Sequence, residues 1–270
     1  LLRSARAGYV VRSAAPTPPA PQMTETSLEQ LVEERQFAGL LQTYAEALFR
    51  GVMSAGGASA TVWFASSESK YAKGQKEIPD ICVAGPRATL FFEVGTSNLR
   101  APALFQGDVE AIKRDMEKAI VKKARQLDGR ICDYRAGAFA LGDGACPHSR
   151  LIVPVIVTTG YRPVQPPGHR YLAEELRRRN LLVQEAVLPL QILSLNDLEY
   201  LMNLSASGSM ISELLTEKAL QEQHRPRKSL PHWVEAEGIK DPDPERRHPL
   251  LTAGFESFFR NMEISMFGRR

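Results

Sequence analysis

Two acids raise the question of chemistry in this chain. Asp80 follows Pro79, and after twelve intervening residues Glu93 stands inside the apolar run FFEVG. Burying a carboxylate in such a run is costly without a cation. If both acids meet at one place, they also repel each other. A divalent cation relieves both penalties, and hard oxygen ligands select Mg²⁺ or Mn²⁺. Held beside a phosphodiester, such an ion polarises it and lowers the pKa of an attacking water. A structural reading competes: Asp80 as a turn residue at a strand start, and Glu93 as an ion-pair partner of Arg87 or of a helix lysine. Periodicity alone favours the structural reading.

Strands must place these acids. PDICVA (79–84) and ATLFFEV (88–94) read as strands, and Gly85-Pro86-Arg87 between them reads as a tight turn. Side chains alternate along a strand. Leu90, Phe92 and Val94 therefore share one face, and Phe91, Glu93 and Gly95 share the other. An antiparallel hairpin brings Asp80 and Glu93 onto one face at one end of a sheet.

The flanking segments supply the rest of an α/β core. A helix is predicted from a cap at Thr26 or Ser27, with Gln30 placed for a capping box, to Arg50. Phe37, Leu40, Leu41, Tyr44 and Leu48 form its apolar stripe, and Gly51 or the Gly56-Gly57 pair ends it. TVWFA (61–65) is a short strand and 66–77 a polar, basic loop. Asp108 caps a long amphipathic helix over 108–131 that buries Val109, Ile112, Met116, Ile120 and Leu127. LIVPVIVTT (151–159) is a near-continuous apolar run rich in β-branched residues, which suits a strand buried on both faces and paired in parallel. The order is α-β-β-β-α-β.

Beyond it come a Pro-rich loop (161–169), a helix (171–180) and a strand or extended edge (186–193). A helix starting at Ser194-Leu195-Asn196-Asp197 and another over 207–223 follow, then a loop (224–249) and an apolar terminal helix (250–267). The chain divides into a Pro-rich segment (1–27), a core (28–160), an α/β extension packed on it (161–223) and a loop-rich tail (224–270).

Pro79-Asp80 and Glu93-Val94-Gly95, at this spacing and in this element order, resemble the PD-(D/E)XK nuclease superfamily. More narrowly, they resemble bacterial proteins with such a restriction-endonuclease-like core. The resemblance covers about residues 28–160 and is weaker over 161–223. It implies a mixed sheet flanked by helices, with a helical C-terminal extension. It also implies Asp80 and Glu93 as ligands of a catalytic Mg²⁺ or Mn²⁺. In the superfamily a lysine two residues after the second acid orients the water and stabilises developing negative charge. Here that position is Gly95, which has no side chain to do either. The first helix of the family often adds an acid. Its analogue is Gln42 by local pattern or Glu46 one turn later, and Glu46 lies opposite the apolar stripe, facing solvent.

In some relatives the lysine comes from the helix after the second acid. At about 100° per residue, Lys123 falls about 40° from Val109 and from Leu127, on the predicted buried face. Lys118 and Lys122 point away. A lysine facing the sheet either pairs with a carboxylate, for which Glu93 is the candidate, or snorkels to solvent. Lys113 is the alternative replacement. Gln126 resembles a glutamine that many relatives carry on this helix to bind substrate. Lys70, Lys73 and Lys76, just before Asp80, read either as contacts to a phosphate backbone or as a solvated loop.

Composition bounds the function without deciding it. In 270 residues, 43% hydrophobic and 24% charged, a packed core is feasible. A net charge of +3 permits contact with nucleic acid but does not demand it. Three cysteines without a CxxC, and five histidines without ligand spacing, point away from a disulfide framework or zinc site and towards a reducing, cytoplasmic setting. No apolar run reaches the roughly 20 residues that span a bilayer, so no membrane is expected. Because it starts with Leu1, the chain reads as a fragment or a processed product. Trp233 and Phe255, Phe258 and Phe259 read as core or docking anchors. Three functions stand: a metal-dependent nuclease using Asp80, Glu93 and Lys123; an inactive module of the same fold binding nucleic acid or protein; and a scaffold that meets a protein partner through 161–270.

Overall fold

The computed structural model describes residues 25–55, 61–65, 78–96, 108–139, 141, 150–159, 166–205, 208–224 and 228–239. Several sequence-level expectations lie outside those residues: the Pro-rich segment up to residue 24, Lys70, Lys73, Lys76 and the apolar segment 250–267.

Five strands make one mixed sheet in the order β1 (Thr61–Phe64), β2 (Ile81–Ala84), β3 (Ala88–Gly95), β4 (Leu151–Thr158) and β5 (Gln191–Ser194). The pairs β1–β2 and β2–β3 are antiparallel, and β3–β4 and β4–β5 are parallel. The hairpin and the parallel strand at 151–158 are as expected. Every residue of β3 is buried, which places it at the centre of the fold. Pro154 sits inside β4, where a missing N–H is normally excluded. Ile152 exchanges both backbone bonds with the 186–188 segment, donating to Ala186 and accepting from Leu188. Alternation turns residue 154 to that same side, where pairing lapses until Val155 meets Gln191.

Helices cover both faces of the sheet. On one face α1 (Glu25–Ala55), α4 (Leu195–Leu204), α5 (Gly208–Glu222) and α6 (Leu230–Ala236) pack against Ile81, Val83, Leu90, Phe92, Val94, Val153, Val155 and Val157. On the other, α2 (Val109–Arg135) and α3 (Pro166–Arg178) pack against Cys82, Phe91, Ile152 and Ile156. The alternation read from the β3 sequence holds. The segment 161–223 thus adds β5 to the sheet and helices to both of its faces. The Ser194–Asp197 capping box starts α4, as the sequence indicates. Buried Lys218 on α5 donates to Gln191 on β5 (2.8 Å) and pairs with Glu222 (2.5 Å), tying helix to strand. Tyr44 on α1 donates to Glu199 on α4 (2.7 Å).

Several expectations are corrected. In α1, Thr26, Ser27 and Gly51 fall within the helix, which neither starts nor stops at them. Its buried face is Leu41, Ala45, Leu48, Phe49 and Val52, whereas Phe37 and Leu40 are exposed. Glu46 is buried rather than solvent-facing. It accepts from Gln42 (3.3 Å) and meets Arg50 (3.7 Å), whose guanidinium lies over the Phe64 ring. Residues 230–236, expected as loop, form α6, anchored by buried Trp233, whose indole N–H donates to Gln221 (3.0 Å). The Pro-rich 161–169 segment ends in helix, because Pro166 and Pro167 occupy first-turn positions where no N–H is needed.

α2 comprises an α-helical stretch Val109–Met116, a π-helical turn Glu117–Val121 and a second α-helical stretch Lys122–Arg135. Asp108 caps it by accepting from the N–H groups of Glu110 (2.9 Å) and Ala111 (3.1 Å). Val109, expected inside, is 59% exposed. The π turn explains the error. It inserts one residue into the helical period, so the buried set before it (Ala111, Asp115, Met116) is out of phase with the set after it (Ala124, Leu127, Ile131, Tyr134). A constant 100° step cannot register both.

The π turn is tied to α3, where Arg179 bonds both Glu117 (2.6 Å) and Glu175 (2.6 Å). Hydrogen bonds from Arg178 first, and from Arg179, hold the Glu175 carboxyl down at about 2. A lowered pKa stabilises the fold fully above the ordinary value of 4.5 and is lost as pH falls towards about 2. Glu175→Gln should therefore lower the Tm above pH 4.5, with the deficit shrinking on acidification, as differential scanning calorimetry of both proteins across pH would show. The β2–β3 turn offers a second test. A Cβ on Gly85 would lie 2.1 Å from Ser212 Oγ and 2.3 Å from its Cβ, on α5. Gly85→Ala should cost about 1–3 kcal/mol in urea unfolding, as overpacking does.

Candidate functional site

The register that pairs Ile81 with Phe92 continues to place Asp80 opposite Glu93. Directly opposed residues of an antiparallel pair share a face, so both acids lie on the α2 side of the sheet. Their end of the sheet is also the carboxyl end of the parallel strands, where open α/β sheets hold ligands. Asp80 is partly exposed and does backbone work there: its Oδ2 accepts from the Val94 N–H (2.8 Å), and its carbonyl accepts from Ala65 (3.1 Å). It fastens the edges of β1 and β3 just where the β2 ladder stops.

Glu93 is 1% exposed. Lys123, at the start of the second α-helical stretch of α2, reaches it: Nζ donates to Oε2 at 3.1 Å. The other oxygen, Oε1, is in ionic contact with Nη1 of Arg130. The lysine side chain is 25% exposed and the arginine side chain 11%, so the cluster opens to solvent on the lysine side. Glu93 faces two cations, and with Asp80 on the same face the four formal charges sum to zero. Neutralisation in place lets the sheet bury Glu93, since an uncompensated buried carboxylate is strongly unfavourable. Next to Asp80 on that face of β2, opposite Phe91, lies Cys82, whose thiol is pushed well up from its ordinary value. Burial is the main cause; Asp80 adds to the shift and Arg130 opposes it.

The other predicted site residues do not join this cluster. Gln126 is exposed. Lys113 is engaged with Glu110 on the surface of α2 (2.7 Å), displaced by the same phase slip that exposes Val109. Lys118 and Lys122 point outward, as the helical wheel requires. Lys73 and Lys76 lie outside the described residues. Gln42 and Glu46 sit on α1, which covers the opposite face of the sheet. Arg130 was not anticipated. Its signal was present, because seven residues beyond Lys123 is two helical turns and returns to the same face.

Asp80 and Glu93 fit a Mg²⁺-type ion in kind and number, since such an ion commonly takes one or two protein carboxylates and completes its shell with water and phosphate oxygens. Among the described residues no group of three or more His, Cys, Asp or Glu gathers that could hold a metal. Also among the described residues, no helix is long and apolar enough to cross a membrane. No protein-family model matches the chain, and no curated protein matches it.

If Glu93 is the charge that holds both cations inward, removing it leaves a lysine and an arginine facing an apolar sheet. Glu93→Ala should destabilise the fold by about 3–5 kcal/mol, the cost of breaking a buried pair. Lys123→Met should cost less, because Lys123 is the more exposed partner. Chemical denaturation of the two variants gives the order.

Proposed function

We propose that this chain is a divergent PD-(D/E)XK nuclease-like protein that hydrolyses phosphodiesters of nucleic acid, with Asp80 and Glu93 as ligands of Mg²⁺ or Mn²⁺. Its α-β-β-β-α-β order and mixed sheet flanked by helices support this reading. One observation carries the reading: Lys123 Nζ lies 3.1 Å from Glu93 although the motif position itself is Gly95. An amine absent from the strand is restored from the helix.

The residues divide the work by chemistry. The bound ion would polarise the phosphodiester and acidify a water. Asp80 and Glu93 supply hard anionic oxygens for it from adjacent strands. Lys123, partly exposed, presents a fixed positive charge to the opening of the site, where it can hold an attacking water and offset charge developing on the phosphoryl oxygens. The partly buried setting strengthens each of these interactions relative to bulk water.

Arg130 favours a second reading. Because both Glu93 oxygens already face cations, the same fold can serve as an inactive module that binds nucleic acid or a protein partner, the latter through residues in 161–270. Either form suits a reducing, cytoplasmic setting.

Cleavage of labelled DNA and RNA, in single and double strands with Mg²⁺ or Mn²⁺, separates the two. Under the nuclease reading Asp80→Asn and Glu93→Gln abolish cleavage, and Lys123→Met lowers it by about 100-fold or more, the usual effect of losing one charge-stabilising donor. Cleavage that survives both acid substitutions sinks the assignment. Retention of the oligonucleotide in a binding assay without cleavage supports the inactive module.

A further inference from the structure

We propose that Arg130 is a latch on Glu93, released when a phosphodiester takes up its guanidinium, so that divalent-cation binding and nucleic-acid binding are coupled. The inference rests on reading Asp80 and Glu93 as the ligand pair.

Geometry is the first ground. Lys123 and Arg130 lie two turns apart on one face of α2, about 10 Å along its axis. They approach the same carboxylate, with Leu127 buried on the face between them. They take different oxygens: Lys123 takes Oε2 and Arg130 takes Oε1. An ion that binds Glu93 must share it with, or displace, at least one cation already there.

Chemistry separates the two cations. Lysine is a compact charge that remains compatible with a neighbouring ligand set, and the proposed reaction uses it in place. Arginine cannot deprotonate to make room, since its guanidinium stays charged in proteins. With an 11% exposed side chain, it also cannot simply turn into water without losing buried contacts. It leaves Glu93 readily only if another anion receives it. A phosphodiester is the suitable one: guanidinium forms paired hydrogen bonds with phosphate oxygens, which a carboxylate and a phosphate compete for on similar terms. Transfer of Arg130 from Glu93 to a phosphate exposes Oε1 to the incoming ion and places a second positive group on the substrate backbone.

Linkage then fixes the behaviour. If nucleic acid raises the affinity for the divalent ion, the ion raises the affinity for nucleic acid by the same factor. The site is self-neutralised when empty of substrate and becomes a metal site when substrate arrives.

The test is Mn²⁺ binding followed by the electron paramagnetic resonance of the free ion, with and without a short phosphorothioate oligonucleotide. Glu93→Gln protein with the same oligonucleotide gives the baseline for ions held by the nucleic acid alone. Wild-type protein should bind Mn²⁺ about 5-fold or more tightly with oligonucleotide than without. Arg130→Met should bind it more tightly than wild type without oligonucleotide, and the oligonucleotide effect should nearly disappear. Arg130→Lys, which keeps the charge, should stay near wild type without oligonucleotide. Wild-type and Arg130→Met proteins that bind Mn²⁺ alike, above the Glu93→Gln baseline, would overturn the latch and leave the ligand pair standing. No binding above that baseline in any protein removes both. Should Arg130→Met fail to fold, ¹⁵N-arginine spectra of the wild type decide, with Arg130→Lys assigning the signal. The Arg130 guanidinium resonance should shift when oligonucleotide and Mg²⁺ are added together, and an unmoved resonance rejects the latch.

Discussion

A carboxylate at 1% exposure in the central strand of a sheet is the constraint around which this molecule is arranged. Glu93 has apolar neighbours above and below on β3 and buried strands on both sides. Its charge is kept because positive groups arrive from the covering layer, where α2 brings Lys123 and Arg130 onto it. The placement of α2, its cap at Asp108 and its docking against α3 through Arg179 all help hold Lys123 and Arg130 over one residue. Replacing Glu93, Lys123 and Arg130 together by apolar residues of similar size would satisfy packing as well, as buried ion clusters often add little stability over an apolar core, whereas removing Glu93 alone strands both cations.

Asp80 shows how one residue can be committed structurally and still face a site. One carboxylate oxygen substitutes for a strand carbonyl by receiving the Val94 N–H. The acid is thereby fixed in place by the sheet rather than by another side chain, and its second oxygen is directed by the same anchoring. The absence of a side chain at Gly95 does not disturb this, because Asp80 and Glu93 are positioned by strand register and the backbone. Strand positions and helix positions are separable parts of the site, which is why a cation can be supplied from elsewhere.

Much of this was legible in the sequence, and the failures have separate physical causes. Strand alternation predicted which residues of β3 share a face, because a period of two leaves no room for drift over eight residues. The parallel pairing of β4 was visible in its near-continuous apolar run rich in β-branched residues. Lys123 was located correctly by its phase with Leu127, which also lies after the π turn, whereas its other reference, Val109, lies before it. Val109 and Lys113 were misplaced because they lie before it. In α1 the error was one of choice: Phe37 and Leu40 extend an apolar stripe past the region where the sheet is there to cover it, while Glu46 lies closer to the buried side than hydropathy alone suggests. Arg130 was overlooked because a charged residue near the end of an amphipathic helix reads as surface, although its phase matches that of Lys123.

The π turn also bears on how such a site arises. A wide turn is a one-residue insertion absorbed inside a helix, and its effect is rotational: everything C-terminal to it turns by about 100° relative to everything before it. A single-codon change in length upstream of Lys122 can therefore sweep both cations onto or off the sheet while leaving every residue identity intact. For a chain in this family of shapes, the gain or loss of positive charge over a strand acid need not leave any substitution at the site itself. Its trace would be a helix one residue longer or shorter than that of its relatives.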